Sequence, residues 1–226
     1  MSQRLAGKRV LVTQASDYMG PDTIELFTEH GAEIIADDSD LTAAGAVETL
    51  IAATGHIDVL VANLAASAGR YVAAPDTEAA SFQHMYEKMV FPLQRLCSAV
   101  LPQMYERQQG KVVVFGSASG LKGIEGYTGY SSARTAQVGY VRTVGIEAAR
   151  HHVQVNLIAQ NYVENPVYYP AELVEREDFQ AKLKQEVPLG RLATGREDAL
   201  FALFLASDES DFFVGQSIPF SGGWAQ

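Results

Sequence analysis

Lys111-Val112-Val113-Val114-Phe115-Gly116-Ser117 is the clearest strand in the chain. An apolar run this continuous reads as a strand buried on both faces, and it ends on a serine. Working outward, Tyr130 to His151 patterns as a long helix and Val153-Gln154-Val155-Asn156-Leu157-Ile158-Ala159 as the next strand. Upstream, strands at Val10–Thr13, Glu33–Asp37 and Ile57–Asn63 alternate with helices at Thr23–His30 and Leu41–Thr54, stopped by Gly31 and Gly55. Thr77 to Gln108 carries long helical patterning, Asp198–Ala206 predicts a further helix, and Gln216–Phe220 predicts a last short strand. Strands alternating with helices imply an α/β fold, a parallel sheet covered on both faces. Residues 161 to 190 form the one long irregular stretch, with Tyr162, Tyr168 and Tyr169 among Pro166, Pro170 and Pro188. Loops of that length in compact domains are more often functional than idle. In open α/β sheets a ligand lies beyond the carboxyl ends of the strands, here Thr13, Asn63, Ser117 and Ala159.

The length of 226 residues suits one large domain or two small ones, and no repeat or low-complexity linker divides it. With 17 Lys and Arg against 27 Asp and Glu, the formal net charge is −10. That balance argues against nucleic acid or an anionic membrane as the main partner, because both need a basic face. The single cysteine, Cys97, excludes an internal disulfide framework and fits a reducing, cytoplasmic location. It lies within helical apolar patterning and reads as core. No uncharged apolar run approaches the roughly 18–20 residues of a membrane helix. The segment from Met1 to Arg9 leaves no room for a signal peptide before the first strand. The five histidines show no metal-ligand spacing.

Chemistry concentrates after the central strand. Ser117 ends it, Tyr130 opens a helix thirteen residues later, and Arg134 lies one turn along the same helix face. A phenol ionises near pH 10, too high for a good general base at neutrality. A guanidinium beside it favours the phenolate and lowers that value, and Arg134 cannot itself lose a proton. Ser117 can hold a substrate oxygen while Tyr130 takes its proton.

Ser117, Tyr130 and the run Tyr130-Ser131-Ser132-Ala133 resemble the catalytic segment of the short-chain dehydrogenase/reductase superfamily. The resemblance extends to Ile57–Asn63, Val155–Ala159, Phe204-Leu205-Ala206-Ser207 and Ser221-Gly222-Gly223-Trp224. It implies a single doubly wound Rossmann-type domain over residues 1–226. The departures define a branch. Arg134 replaces the superfamily lysine that also grips the nicotinamide ribose. The first loop reads Thr13-Gln14-Ala15-Ser16-Asp17-Tyr18-Met19-Gly20, with one glycine where the superfamily has three. Asn63-Leu64-Ala65 stands for Asn-Ala-Gly, Met89 for a helix asparagine, and Gln160-Asn161 for Pro-Gly. The span from Asp37 to His56 holds one helix where the superfamily has two helices and a further strand. Ser-x12-Tyr-x3-Arg with Thr-x4-Phe/Tyr-x-Gly is similar to the marks of the halohydrin dehalogenases.

That resemblance implies an enzyme without a nicotinamide cofactor, in which a halide ion occupies the vacated site. It implies a catalytic trio of Ser117, Tyr130 and Arg134, a halide loop Gln160-Asn161-Tyr162-Val163, and cavity walls at Tyr18 and Tyr169. The partners implied are a small halohydrin or epoxide and the halide, with homotetramer or homodimer assembly through the two long helices. Two rivals remain at this stage. One is a nicotinamide-dependent reductase with Arg for Lys and Asp37 near the ribose position. The other is a non-catalytic binding protein on a degenerate dehydrogenase fold.

Overall fold

The six β-branched runs become the strands of one parallel sheet in the computed structural model, which describes residues 3–226. They are β1 Arg9–Thr13, β2 Glu33–Asp37, β3 Val59–Asn63, β4 Gly110–Ser117, β5 Val153–Gln160 and β6 Ser217–Phe220. Their order is β2-β1-β3-β4-β5-β6. The chain leaves β1 for β2 on one side and returns to β3 on the other, so the topological switch point lies between β1 and β3.

Alternation along β4 divides the core. Val112 and Val114 pack with Leu60, Val155 and Leu157 under one helical layer, while Val113 and Phe115 pack with Val12, Val61 and Ile158 under the other. The first layer holds α2 Ala46–Thr54, α4 Phe91–Arg107 and α6 Thr128–Ala149; the second holds α1 Gly20–Glu29 and α9 Gly195–Ala206. The remaining helices are α3 Ala79–Met89, α5 Ser119–Lys122, α7 Ala171–Val174 and α8 Glu177–Glu186. Between β2 and β3 the chain carries α2 and no further strand, as expected from the short span there.

Four element readings need correction. The helical run Thr77–Gln108 is two helices, because Pro92 supplies no N–H and sits in the first turn of a new helix after Val90. Leu41–Thr54 is helical only from Ala46, after Gly45 takes a left-handed φ of +77°. Residues 161–190 are not irregular throughout; they contain α7 and α8. The last helix begins at Gly195, ahead of Asp198, on a reciprocal cap between Thr194 and Glu197.

Small residues on α6 face two ways. A Cβ at Gly145 would lie 2.5 Å from the Gly215 Cα, so that glycine faces the protomer's own fold, whereas Gly139 has nothing within 4 Å. Cys97 is fully buried in the core, and burial pushes its thiol up to about 12. Among the described residues no helix is long and apolar enough to cross a membrane.

Candidate active site

Ser117 is held where β4 turns into α5, its Oγ accepting the Ser119 N–H at 3.2 Å. α5 seats directly on α6, because Gly120 brings bare backbone to the turn that carries Arg134. A Cβ there would lie 2.8 Å from the Arg134 carbonyl carbon. The Thr135 hydroxyl donates to the Gly120 carbonyl at 3.0 Å and closes the contact. This joint places the end of β4 beside Tyr130 and Arg134.

Arg134 is 3% exposed. Its Nη1 donates to the carbonyls of Leu64 and Phe115, each at 3.1 Å, and to Gln137 Oε1 at 3.0 Å. Gln137 in turn donates to the carbonyl of Met89 at 2.8 Å. A buried charge is costly unless paired and hydrogen-bonded, and these neutral acceptors only orient it. It also lies over the face of a phenol: the guanidinium carbon is 5.1 Å from the Tyr130 ring centre, a cation–π contact. Burial by itself pushes Tyr130 up. The charge of Arg134, with polar contacts from Tyr168, Arg134 and Ser117, outweighs that and holds the phenol below its usual value.

These three side chains open onto a cavity of about 180 Å³. Tyr18, Gln160, Asn161, Tyr162, Val163 and Tyr169 line the same cavity, so the expected trio and the expected halide and wall residues are brought to it, whereas Asp37 does not line it. Tyr168, Asn165, Phe115 and Ile124 line it as well and were not assigned a role. Tyr168 was visible as part of an aromatic loop, but nothing in the sequence distinguished it from its neighbour.

The loop from Gln14 to Gly20 is closed on itself. The Gln14 side chain donates to the Ala65 carbonyl and accepts the Ala65 N–H, at 3.0 and 2.6 Å. Asn63 donates to the carbonyls of Gln14 and Asp17. Of the loop amides, Ala15 donates to the Asp37 carbonyl, Asp17 to Gln14 and Gly20 to Asp17. Ser16 gives both its N–H and its hydroxyl to Asp38, at 2.9 and 2.6 Å. The Ser16 hydroxyl and amide keep the Asp38 carboxyl below the usual range. A dinucleotide pyrophosphate at this loop would compete with those bonds for N–H groups near the Asp38 carboxylate. Tyr18 occupies a left-handed backbone position at φ 51° and turns its ring to within 5.5 Å of the Tyr168 ring. Asp37 accepts a hydrogen bond from Ser39 at 3.1 Å.

Tyr162 is also left-handed, at φ 59°. For bulky residues this conformation costs about 1–2 kcal/mol, and such strain gathers at functional sites. Its N–H donates to Asn161 Oδ1 at 3.0 Å, and the Tyr169 hydroxyl donates to the same oxygen at 3.2 Å. With that oxygen engaged, the donors Asn161 can offer a ligand are its Nδ2 hydrogens. The Gln160 side chain is committed elsewhere: Nε2 donates to Asp198 Oδ2 at 2.5 Å. Asp198 is fully buried, and desolvation pushes its carboxyl up to about 8.

The family described as enoyl-(acyl carrier protein) reductase matches residues 3–225. The 2-keto-3-deoxy-L-fuconate dehydrogenase of Xanthomonas campestris is 29% identical, over 98% of this chain and 81% of its own length. A solved structure described as a dehalogenation enzyme is 32% identical, covers 98% of this chain and 100% of that one, and superposes with a TM-score of 0.90. A halohydrin dehalogenase bound to ethyl (2S)-oxiran-2-ylacetate is 23% identical with a TM-score of 0.87, over 96% and 97% of the two chains, a likeness of fold.

Proposed function

The chain belongs to the short-chain dehydrogenase/reductase superfamily, and on that premise we propose that it is a halohydrin dehalogenase. It converts vicinal halohydrins to epoxides with release of halide and a proton, and opens epoxides with small anions in reverse. The observation that carries this reading is the loop Gln14–Gly20. Its amides at Ala15, Ser16, Asp17 and Gly20 are engaged by Asp37, Asp38 and its own carbonyls, and its Tyr18 lines the cavity.

In this reaction Ser117 and Tyr130 hold the substrate hydroxyl, and Tyr130, with Arg134 beneath it, accepts its proton. The freed oxygen forms a bond to the neighbouring carbon as the carbon–halogen bond breaks. The halide carries away the electron pair of that bond, so no hydride moves and no oxidant is needed. The loop Gln160–Val163 receives the anion, where the Asn161 Nδ2 hydrogens are the donors left to it, the Tyr162 N–H being held by Asn161 Oδ1. Tyr18 and Tyr169 exclude water and so strengthen each hydrogen bond to the ion.

The names of the sequence relatives favour a second reading, a nicotinamide-dependent reductase. One experiment separates the two. The purified protein is mixed with small chloro- and bromo-alcohols, without nucleotide, and halide and acid release are followed between pH 6 and 10. Release that Tyr130→Phe abolishes supports the dehalogenase. No release across several substrates, together with tight binding of NADH or NADPH, replaces it by the reductase.

A further inference from the structure

Tyr168 has no part in the scheme above, yet its hydroxyl is built into the same centre. Two amides, those of Val167 and Tyr168, donate to Asn165 Oδ1 at 3.1 and 2.9 Å and fix its backbone. At the other end, the Tyr168 hydroxyl donates to the Ala66 carbonyl at 2.6 Å. Ala66 lies two residues from Leu64, whose carbonyl holds Arg134, so one segment after β3 anchors both side chains. The ring is braced against Tyr18, and the hydroxyl oxygen contacts both Tyr130 and Arg134.

We propose that Tyr168 is a positioning residue for the reacting phenol, its single hydroxyl proton turning between the Ala66 carbonyl and the Tyr130 oxygen as Tyr130 gains and loses its own. A hydroxyl has one proton to give and here two acceptors within reach. While Tyr130 is neutral, the proton rests on the Ala66 carbonyl. Once Tyr130 is a phenolate, that oxygen is the stronger acceptor, because hydrogen bonds to charged groups are roughly twice as strong as neutral ones. The proton then turns, and the phenolate alone gains the bond. Tyr168 can serve as this donor because it stays protonated: burial, and then the neighbouring Tyr130, push its own ionisation well above the usual phenol value. The groups facing Tyr130 are Arg134 on its own helix, Ser117 from β4, Tyr18 from the first loop, and Tyr168 and Tyr169 from the loop after β5. Of these, Arg134 carries the charge and Tyr168 supplies the proton that can move.

This inference rests on Tyr130 being the reacting phenol, and its test needs no substrate, so failure of halohydrin turnover leaves it standing. Tyrosine ionisation is followed by phenolate ultraviolet absorption in the wild type and in Tyr130→Phe, Tyr168→Phe and Tyr18→Phe. The expected result is one tyrosine titrating below the rest, absent in Tyr130→Phe and moved up by about one pH unit, a tenfold change, in Tyr168→Phe. Tyr18→Phe, which keeps the tilted ring contact with Tyr168, leaves the midpoint in place. An unmoved midpoint in Tyr168→Phe, an equal shift in Tyr18→Phe, or no low-titrating tyrosine in the wild type overturns the proposal. Should Tyr168→Phe fail to fold, the wild type labelled with carbon-13 at the tyrosine ring carbon that bears oxygen gives the same decision. The Tyr168 resonance must move with the midpoint of Tyr130, and a Tyr168 signal indifferent to that titration overturns the proposal.

Discussion

Replacing Asp198 by Asn should make the protein progressively more stable than the wild type as pH rises from 5 to 8. The Asp198 side chain is fully buried in the first turns of α9. One carboxyl oxygen accepts from Gln160, and the other has no hydrogen-bond partner. Desolvation, with the nearby charge of Asp22 and against the Gln160 bond, raises the group from 3.8 to about 8. Between those values the folded chain binds a proton that the unfolded chain has released. Stability is therefore fully present below the unfolded value and falls as pH rises towards the folded one. Each pH unit is worth about 1.4 kcal/mol, so three units amount to about 4 kcal/mol. The helix N-terminus favours the anion by about 0.3–1 kcal/mol, too little to reverse the sign. Asn matches Asp in shape and cannot ionise, and taking the difference between the two proteins cancels every other titration. Urea unfolding of both at pH 5, 6, 7 and 8 gives the comparison. A stability difference that stays constant across that range would refute the reasoning, because it would mean that Asp198 is already ionised in the fold.

Arg134→Lys should lower stability by about 2–4 kcal/mol in urea unfolding, since one ammonium cannot satisfy the carbonyls of Leu64 and Phe115 and Gln137 as the guanidinium does. The same variant should move the acid limb of halide release to higher pH, because Tyr130 loses part of the charge that holds its ionisation down. Gly120→Ala should cost about 1–3 kcal/mol and depress halide release, read together by thermal unfolding and initial rates, because the new methyl meets the Arg134 backbone. Thr194→Ala removes the cap of α9 and should cost about 1 kcal/mol in chemical unfolding while leaving turnover unchanged.

The sheet, and the approach of Ser117, Tyr130 and Arg134 to one another, were both legible from local patterning. An apolar run such as Val112–Phe115 can be satisfied only as a buried strand, and its register sends alternate residues to opposite layers. Ser117, Tyr130 and Arg134 follow from spacing along one strand and one helix, where covalent geometry decides which residues share a face. α8 escaped detection because Leu183 is the one buried residue of an otherwise polar helix, too thin a stripe to register as a period. Thr194 and Glu197 formed a readable capping pair that apolar patterning alone passed over.

Long-range placement set everything else. No property of the sequence separates Tyr168 from Tyr169, yet one reaches the Ala66 carbonyl and the other Asn161. Asp198 is an ordinary acid at a helix start until Gln160 and the sheet cover it. The sequence by itself determined which segments are strand and helix and which three residues stand at the end of β4 and on α6, because those depend on periods and spacings of a few residues. The tertiary structure alone decided the raised ionisation of Asp198, the closing of the loop at Ser16 by Asp38 and the meeting of Tyr168 with Tyr130. Those depend on burial and on contacts between residues distant in the chain, which no local pattern records.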